Sequence, residues 1–478
     1  MSETNFEDVT VTIQKVPSET LFDKLKSFGR FFMTLPRRIY NTYLLVRFQE
    51  FREPASRNIC PMRYLNPFMY LNFSTKLITK TAVMKAILRY PRKDKDGLLW
   101  DGDNGLVFLP ILKDLYPEET ITEEDFIFTC SKENLRKYRQ PILQFVGTHT
   151  IEKQSQELEK IIDEVLHYYI GEQQEGTINA TKLTLTLPVA VVSRLLLGHP
   201  GPMAIYQRIA DSVDLVNRCL MKRMLKQPKS KEEQENYPHA VAVLRSAIDT
   251  SLQTQKGESY VQSLKEYMNP LQAKLSLYIM YFAGSDTTAG VLNYLLWQLG
   301  RHPEIQEKIY RELLSSKEDL FTFANESLSI YQVVSESLRL FSSVYVIGRM
   351  PIAPLNCTVK DKSGKVIFQE KIGKKEKILS CPTFAGRDPL LFDQPDTFNP
   401  DRFTTRSKGY SWFPFGDGAH SCPGQWLAKV EISLFVAKLI QNYHLSSLPE
   451  KEFGQLGYIT LKPSEEVYLT LVPRSIKT

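Results

Sequence analysis

The sequence predicts a mostly helical protein with a small β region. Residues 275–299 form a long apolar run, and residues 425–443 carry apolar side chains close to helical spacing. Short β-type runs separated by turn residues cluster within residues 344–381. We therefore expect helices to build the body of the protein and the strands to form a minor region.

The remaining elements follow from periodicity and turn residues. We expect helices over residues 134–146, 151–169 and 183–197, with Pro141 interrupting the first near its start. A polar break over residues 226–237 is too short for a domain linker. Other expected features are a strand and short helix in 77–88, a charged turn at 93–97, an apolar segment at 105–115, strands at 344–350, 357–360, 366–370 and 378–381, and a hairpin at 457–472 turning at Pro463-Ser464.

Residues 413–424, FPFGDGAHSCPG, surround one cysteine with glycines. The three glycines Gly416, Gly418 and Gly424 permit backbone conformations that a Cβ would forbid. Such a loop can fold its N–H groups around the sulfur of Cys422. The helical pattern that follows would place Cys422 at a helix N-terminus, which favours negative charge. Cys422 is therefore a candidate thiolate and metal ligand.

The surroundings of Cys422 suit a zinc site poorly, because structural zinc takes four ligands in characteristic Cys and His pairs and only His420 lies nearby. A single thiolate suffices when a macrocycle supplies the other ligands, as in haem. Phe415, Gly418, Cys422 and Gly424 fit the pattern F-x-x-G-x-x-x-C-x-G. In this the loop resembles the haem loop of the cytochrome P450 superfamily. The alternative is a buried structural cysteine in a Gly-rich turn.

The resemblance implies the cytochrome P450 fold and haem b (iron protoporphyrin IX), with Cys422 as the metal ligand. It also implies cofactor-binding roles for Phe415, Gly416, Gly424, Arg139, Arg349 and His420. Arg139 lies in the family's W-x-x-x-R pattern, with Leu135 in the tryptophan place, and His420 stands where the family usually has arginine. Arg139, Arg349 and His420 would bind the haem propionates. A solvent-facing Arg139 and a surface or capping His420 are the alternatives.

Residues 283–288, AGSDTT, place a glycine, a carboxylate and two threonines inside an apolar run, although each lowers helix propensity. Thr287 can bond back to the carbonyl of Ala283 and bend the helix locally. The stretch matches the family's A-G-x-D-T-T motif. The resemblance implies that Ala283 and Gly284 lie beside the haem, and that Asp286 and Thr287 pass protons to bound oxygen. The alternative is a buried helix with a hydrogen-bonded aspartate.

Glu336 and Arg339 are three residues apart and share a helix face. They match the family's E-x-x-R, and Arg402 lies in a segment, PDRF, that resembles P-E-R-F. The resemblance implies that these three side chains form a buried ionic cluster behind the haem. Gly386 stands where the family usually has the histidine of H-R-D-P.

Composition places the chain among ordinary globular proteins, with 478 residues, 42% hydrophobic and 24% charged. The net charge of +6 has no single-sign tract that would indicate nucleic acid, although a basic face can help to dock an acidic electron donor. Six cysteines show no disulfide spacing, and the N-terminus is no secretory signal. Asp286 argues against a transmembrane helix at 275–299. We expect a reducing, cytoplasmic location.

We expect residues 1–50 to form a basic amphipathic extension and residues 51–478 to form a single cytochrome P450 domain. Residues 21–48 are basic and aromatic, with apolar side chains at helical spacing over their first part. A helix packed on the body is the favoured interpretation. A helix lying on a membrane surface is the alternative, which would make the protein a peripheral membrane protein.

The resemblance implies a haem-thiolate monooxygenase that inserts one atom of O2 into a hydrophobic small-molecule substrate and reduces the other to water. No flavin or nicotinamide fingerprint is evident, so electrons are expected from a separate reductase or ferredoxin. Two alternatives stay open: a peroxygenase or isomerase of the same fold, and a haem-binding protein without turnover. The Asp286-Thr287 pair argues against the first alternative.

Overall fold

Helices dominate the computed structural model of the chain. The described residues are 2–5, 9–15, 50–51, 68–72, 75–78, 84–85, 87–88, 93–94, 97–98, 100–101 and 108–474, with gaps at 129, 131, 172–175, 225–226, 254–258, 352, 362, 375, 389–390, 405–411, 449–454 and 458. The helix expected within residues 21–48 lies outside the described residues.

The helices are numbered in chain order. They are α1 (Leu109–Leu115), α2 (Lys132–Val146), α3 (Thr148–Lys153), α4 (Ser155–Ile170), α5 (Ala180–Val191), α6 (Met203–Met224), α7 (Lys231–Gln253), α8 (Tyr260–Tyr267), α9 (Pro270–Tyr281), α10 (Thr287–Arg301), α11 (Pro303–Ser315), α12 (Leu320–Glu326), α13 (Leu328–Leu340), α14 (Pro382–Gly386) and α15 (Gln425–Asn442). Two π-helical turns, Val192–Leu196 and Phe282–Asp286, extend α5 and join α9 to α10.

The strands are short and form several small sheets. They are β1 (Ser2–Asn5), β2 (Val9–Lys15), β3 (Glu50–Phe51), β4 (Phe68–Asn72), β5 (Thr75–Ile78), β6 (Lys93–Asp94), β7 (Gly97–Leu98), β8 (Trp100–Asp101), β9 (Gly176–Asn179), β10 (Ile347–Pro351), β11 (Leu355–Asp361), β12 (Val366–Ile372), β13 (Lys377–Ser380), β14 (Tyr443–Leu448), β15 (Gln455–Gly457), β16 (Leu461–Pro463) and β17 (Tyr468–Pro473). Sheet orders are β1-β2-β11-β12, β4-β5-β13-β10-β8, β14-β17-β9, β16-β15-β3 and β6-β7. The mostly helical architecture with a small β region is confirmed.

The central helix, defined here as α9, the π turn Phe282–Asp286 and α10, confirms the helix expected at 275–299. It begins at a capping box in which Asn269 accepts from the backbone of Gln272 (2.8 Å) and Gln272 reaches back. Leu275 and Leu292 are fully buried. The helix packs against α5, α13 and α15, so its π turn lies in the protein core.

The hairpin expected at 457–472 is wrong. Strand β16 pairs with β15, whereas β17 pairs with β14 and β9. The two apolar runs belong to different sheets because β17 finds its partner in β14, a strand that directly follows α15. Long-range pairing has replaced a local turn, and it carries β16 toward the central helix.

Two helix boundaries also differ from expectation. Helix α7 begins inside the polar break expected at 226–237, because Ser230 and Glu233 form a capping box: Ser230 N donates to Glu233 (2.7 Å), and Glu233 N donates to Ser230 Oγ (3.1 Å). Helix α2 continues through Pro141 instead of being interrupted by it. The helix begins at residue 132, so Pro141 lies in its second half and not near its start.

In the described part of the chain, none of the helices combines the length and the apolar character that crossing a bilayer requires.

Candidate functional site

The loop before α15 wraps backbone groups around Cys422. Cys422 N donates to Phe415 O at 2.8 Å, and the N–H of Gly424 donates to the Cys422 sulfur. Gly416 and Gly418 both have φ of +74°, which confirms that the loop requires glycine there. Gly424 has φ of −86°, so the expectation that it needs a special conformation is wrong. Its backbone N–H, not its conformational freedom, serves the sulfur.

Burial opposes ionisation of Cys422. It raises the pKa of the thiol, while the Gly424 N–H and the charge of Arg139 act in the opposite direction. The helix N-terminus alone therefore does not make Cys422 a thiolate. A bound cation would, because metal coordination deprotonates a thiol outright.

Arg139 projects from α2 toward the cysteine loop. Its Nη1 donates to the carbonyl oxygen of Ser421 at 2.9 Å, although the two residues are 282 positions apart. Desolvation lowers the pKa of Arg139, and Cys422 partly restores it. Leu135, one turn earlier, is buried, which leaves the side of α2 toward the core apolar. Arg139 thus contacts the cysteine loop and is half-buried, so it is not a solvent-facing arginine.

Further predicted residues lie around the loop. His420 ends the short 3₁₀ helix Gly418–His420 and is half-buried. Phe415 is half-buried, with the Lys429 ammonium 5.2 Å from its ring centroid. Arg349 lies in β10, and its Nη1 donates to Gly348 O at 2.9 Å. Strand β10 runs beside the loop, since a Cβ on Gly416 would lie 3.8 Å from Ile347.

A lysine from a distant part of the chain lies at the loop, and it was not among the predicted site residues. Lys85 Nζ lies 3.6 Å from Asp417 Oδ2, and the side chains are only 12% and 18% exposed. Asp417 Oδ1 also accepts from the N–H of Gly418 at 2.7 Å. This pair anchors the loop to a segment far earlier in the chain. No local pattern marks it, because Lys85 and Asp417 meet only after folding.

The π turn Phe282–Asp286 widens the central helix at the predicted position. Thr287 Oγ1 donates to Ala283 O at 2.7 Å, which confirms the expected bond. Ser343 Oγ donates to the carbonyl of Thr287 at 2.6 Å, a contact that sequence reasoning missed. π turns of this kind recur at functional sites. The chain therefore has a locally opened helix with a threonine hydroxyl at its edge.

Gly284 is explained by close packing. A Cβ at this position would lie 2.8 Å from Val192 Cγ2. Val192 begins the second π turn, so two widened turns of neighbouring helices meet at Gly284. Ala283, which precedes it, is half-buried and accepts the Thr287 bond.

Asp286 is buried and ion-paired. Its Oδ1 accepts from Lys462 Nζ at 2.6 Å, and its Oδ2 accepts from the Thr460 hydroxyl. Burial lowers the pKa of Lys462, but the attraction of Asp214 and Asp286 outweighs it and raises the pKa overall. The contacts of Asp286 are therefore those of the alternative, a buried and hydrogen-bonded aspartate. Lys462 is 176 positions away, so sequence reasoning had no signal for it.

The predicted ionic cluster of Glu336, Arg339 and Arg402 forms with the expected members. Arg339 Nε and Nη2 donate to the two carboxylate oxygens of Glu336 at 2.6 and 2.7 Å, and Arg402 Nε adds a bond of 3.1 Å. Arg339 Nη1 also donates to Gly386 O at 2.7 Å. A Cβ on Gly386 would overlap the Arg339 backbone carbonyl, which accounts for glycine there.

The donor set at Cys422 fits a metal that brings its own ligands. In the part of the chain that the structure describes, no group of three or more His, Cys, Asp or Glu could hold a bare ion. The loop instead offers one sulfur, and Arg139 lies beside it. One thiolate with a neighbouring cation suits a macrocyclic iron with anionic substituents.

Comparison with known sequences gives consistent relatives. The chain is 30% identical to cytochrome P450 3A30 of Fundulus heteroclitus over 268 residues, which is 52% of this chain and 49% of that protein. It is 30% identical to human mitochondrial sterol 26-hydroxylase over 224 residues, 43% of this chain and 40% of that protein. The match therefore spans about half, or less, of each relative's length.

Comparison with solved structures supports the fold. The cytochrome P450DA heme domain matches with a TM-score of 0.70 at 16% identity, covering 89% of this chain and 94% of that one. Retinoic acid bound cyanobacterial CYP120A1 matches with a TM-score of 0.68 at 18% identity, covering 85% and 92%. The fold is that of cytochrome P450 heme domains.

The family model described as Cytochrome P450 matches residues 200–456, more than half of the 478-residue chain. That region contains the π turn, the ionic cluster and the cysteine loop. Family membership indicates haem b as the cofactor. By sequence, fold and site, the chain belongs to the cytochrome P450 family.

Proposed function

We propose that the protein is a haem-thiolate monooxygenase that inserts one atom of O2 into a hydrophobic small molecule. The observation that carries this proposal is the setting of Cys422: a half-buried cysteine just before α15 whose sulfur accepts the Gly424 N–H. A lone sulfur of this kind serves a macrocyclic iron better than a bare ion.

Several residues of the chain would hold the haem. Cys422 would bind its iron through the sulfur, and haem with a thiolate ligand supplies reductive O–O cleavage. Arg139, Arg349 and His420 would bind the propionates, as cations or hydrogen-bond donors. The residues that would line the macrocycle are Phe415, Gly416, Gly424, Ala283 and Gly284.

Proton handling falls to Asp286 and Thr287. The Thr287 hydroxyl is held at the π turn by its bond to Ala283 O, where it can pass a proton onward. Asp286 is the adjacent ionisable side chain, and it would supply the proton that Thr287 passes on. The ion pair between Asp286 and Lys462 affects this proton transfer.

A hydrophobic substrate is supported by an aromatic cluster beside the π turn. Phe282 packs edge-on against Phe108, with ring centroids 4.8 Å apart, and Phe126 and Phe128 adjoin Phe108. The similar proteins described above include a sterol 26-hydroxylase and a structure with bound retinoic acid. A sterol, retinoid or fatty acid would bury its apolar surface against such rings.

Electrons would come from a separate reductase or ferredoxin. The net charge of +6 favours an acidic partner, because complementary charges speed association. We further propose a cytoplasmic location, with peripheral membrane contact through residues 21–48 as the alternative. Sedimentation with anionic lipid vesicles, compared between the full chain and a variant with the basic residues of 21–48 neutralised, would test that contact.

The decisive experiment is the spectrum of the purified, haem-supplemented protein. We expect the reduced carbon monoxide adduct to show thiolate ligation, and Cys422→Ser to lose that signature. Binding of sterols, retinoids and fatty acids should shift the spin state of the haem absorption band. Turnover with NADPH, a surrogate reductase and ¹⁸O2 should then label the product with one oxygen atom.

Three outcomes would contradict the proposal. A colourless protein, or an adduct resembling an imidazole-ligated globin, would remove the thiolate ligand. Product formed only with peroxide would indicate a peroxygenase, and rearranged product without labelled oxygen an isomerase. Ligand binding without turnover under any of these conditions would indicate a haem-binding protein.

A further inference from the structure

Lys462 lies between two carboxylates in the interior of the protein. Its Nζ is 2.6 Å from Asp286 Oδ1 and also contacts Asp214 Oδ1. The Lys462 side chain is 13% exposed, and that of Asp286 is fully buried. Asp286 belongs to the π turn, Asp214 to α6 and Lys462 to β16. One ammonium group therefore joins three separate elements.

From Asp214 the ion pairing continues through further residues of alternating charge. Asp214 accepts from Arg218 Nε at 2.9 Å, and Arg218 Nη1 lies 3.8 Å from Glu233 of α7. We call Asp286, Lys462, Asp214, Arg218 and Glu233 the ion-pair chain. All five also line a cleft of about 780 Å³. The ion-pair chain therefore runs along this cleft from the central helix to α7.

Stability alone does not account for this arrangement. Moving two charges out of water costs hydration free energy that offsets much of their mutual attraction. A buried ion pair therefore often stabilises a protein no more than apolar packing does. The same charges do control protonation, since a neighbouring cation favours a carboxylate. Thr460 supplies a further donor to Asp286. The contacts to Asp286 thus influence its charge state more than they stabilise the packing around it.

We propose that Lys462 is a positioning residue that keeps Asp286 a carboxylate. Asp214 of α6 competes with Asp286 for the same ammonium group. The position of α6 relative to β16 then decides how firmly Asp286 is held. Protons would reach Asp286 from water in the cleft, and each proton passed on to Thr287 would be replaced from the same water. The inference rests on the proposed monooxygenase function, in which Asp286 and Thr287 carry protons.

Two variants are expected to act in opposite directions. Lys462→Met leaves the buried Asp286 without a cation, so we expect Asp286 to take up a proton. Asp214→Asn removes the competing carboxylate, so Lys462 should hold Asp286 more firmly. A purely structural role for Lys462 would instead make both variants similar, since each removes one ion pair.

Infrared spectroscopy of the haem-loaded protein gives a readout independent of turnover. At neutral pH, Lys462→Met should gain the carbonyl stretch of one protonated carboxyl group. Lys462→Met/Asp286→Asn should lack that band, and Lys462→Arg should resemble the wild type because it keeps the cation. A folded Lys462→Met protein without the band would overturn the proposal.

The solvent deuterium isotope effect on product formation gives the second readout. It should increase at least about twofold in Asp214→Asn, because a more firmly held Asp286 delivers protons more slowly. An unchanged effect in Asp214→Asn would overturn the coupling to α6. If Lys462→Met does not fold, Asp214→Asn and Lys462→Arg still carry this test. Absence of oxygenated product in the wild type would refute the proposed function, whereas the infrared comparison would still decide whether Lys462 sets the charge of Asp286.

Discussion

Glu336 and Arg339 form a bidentate ion pair in which both side chains are fully buried. Their bonds measure 2.6 and 2.7 Å. Glu336 also accepts from Arg402 and from the N–H of Asn399, at 2.8 Å for the latter. Every charge in this cluster therefore has a partner, and the cluster joins α13 to the segment around residue 400.

Glu336→Ala should abolish folding or haem retention. Removing one partner of a buried pair leaves an unpaired charge and costs about 3–5 kcal/mol. Haem content and urea unfolding would measure this. The matched control is Asp401→Ala, because Asp401 is 74% exposed and pairs only at the surface with Lys308. A soluble, haem-loaded Glu336→Ala protein would contradict the prediction.

Gly284→Ala should destabilise the protein although alanine favours helices. The new methyl group would press on Val192, and overpacking costs roughly 1–3 kcal/mol against a propensity gain of about 1 kcal/mol. In a Val192→Ala background the same change should become neutral or stabilising. Urea unfolding of the four proteins measures the interaction. An equal effect of Gly284→Ala in both backgrounds would exclude this contact as the cause.

Glu431 should make stability depend on pH. It is 2% exposed, its Oε1 has no hydrogen-bond partner among the described residues, and burial raises its pKa to about 8. Between its ordinary value and pH 8 the folded protein keeps a proton that the unfolded chain loses. The free energy of unfolding should therefore fall as pH rises, by roughly 1.4 kcal/mol per pH unit, and level off above pH 8.

Glu431→Gln cannot ionise, so it should lose this dependence and gain stability over the wild type as pH rises from 5 to 8. Urea unfolding across pH 5–9 measures the difference. Glu326→Gln is the control, because Glu326 is exposed at the end of α12. Parallel pH profiles for Glu431→Gln and the wild type would show that Glu431 is not protonated in the native protein.

Arg139→Met should weaken haem binding. Arg139 donates to Ser421 O and is placed beside Cys422, and a hydrogen bond to a charged group contributes roughly 1.5–3 kcal/mol. Haem transfer to apomyoglobin should therefore be about ten- to a hundredfold faster. Arg136→Met, an exposed arginine on the same helix, is the control. Equal transfer rates for both variants would remove Arg139 from the haem site.

Local patterns predicted much of the site. The cysteine loop, the AGSDTT turn and the E-x-x-R pair each lie within a few residues, so their backbone geometry follows from nearby side chains. The Thr287 bond to Ala283 is of this kind, since it spans one helical turn. The start of α7 could also have been predicted from the sequence, because Ser230 and Glu233 have capping-box spacing.

By itself, the sequence determined the family, the cysteine loop, the helical body and the position of the widened turn, because those depend on residues close in the chain. Only the tertiary structure decided that Lys462 holds Asp286, that Gly284 meets Val192, and that β16 and β17 join different sheets. These contacts join residues far apart in the chain. Their formation depends on the topology that brings the elements together, which no short stretch of sequence encodes.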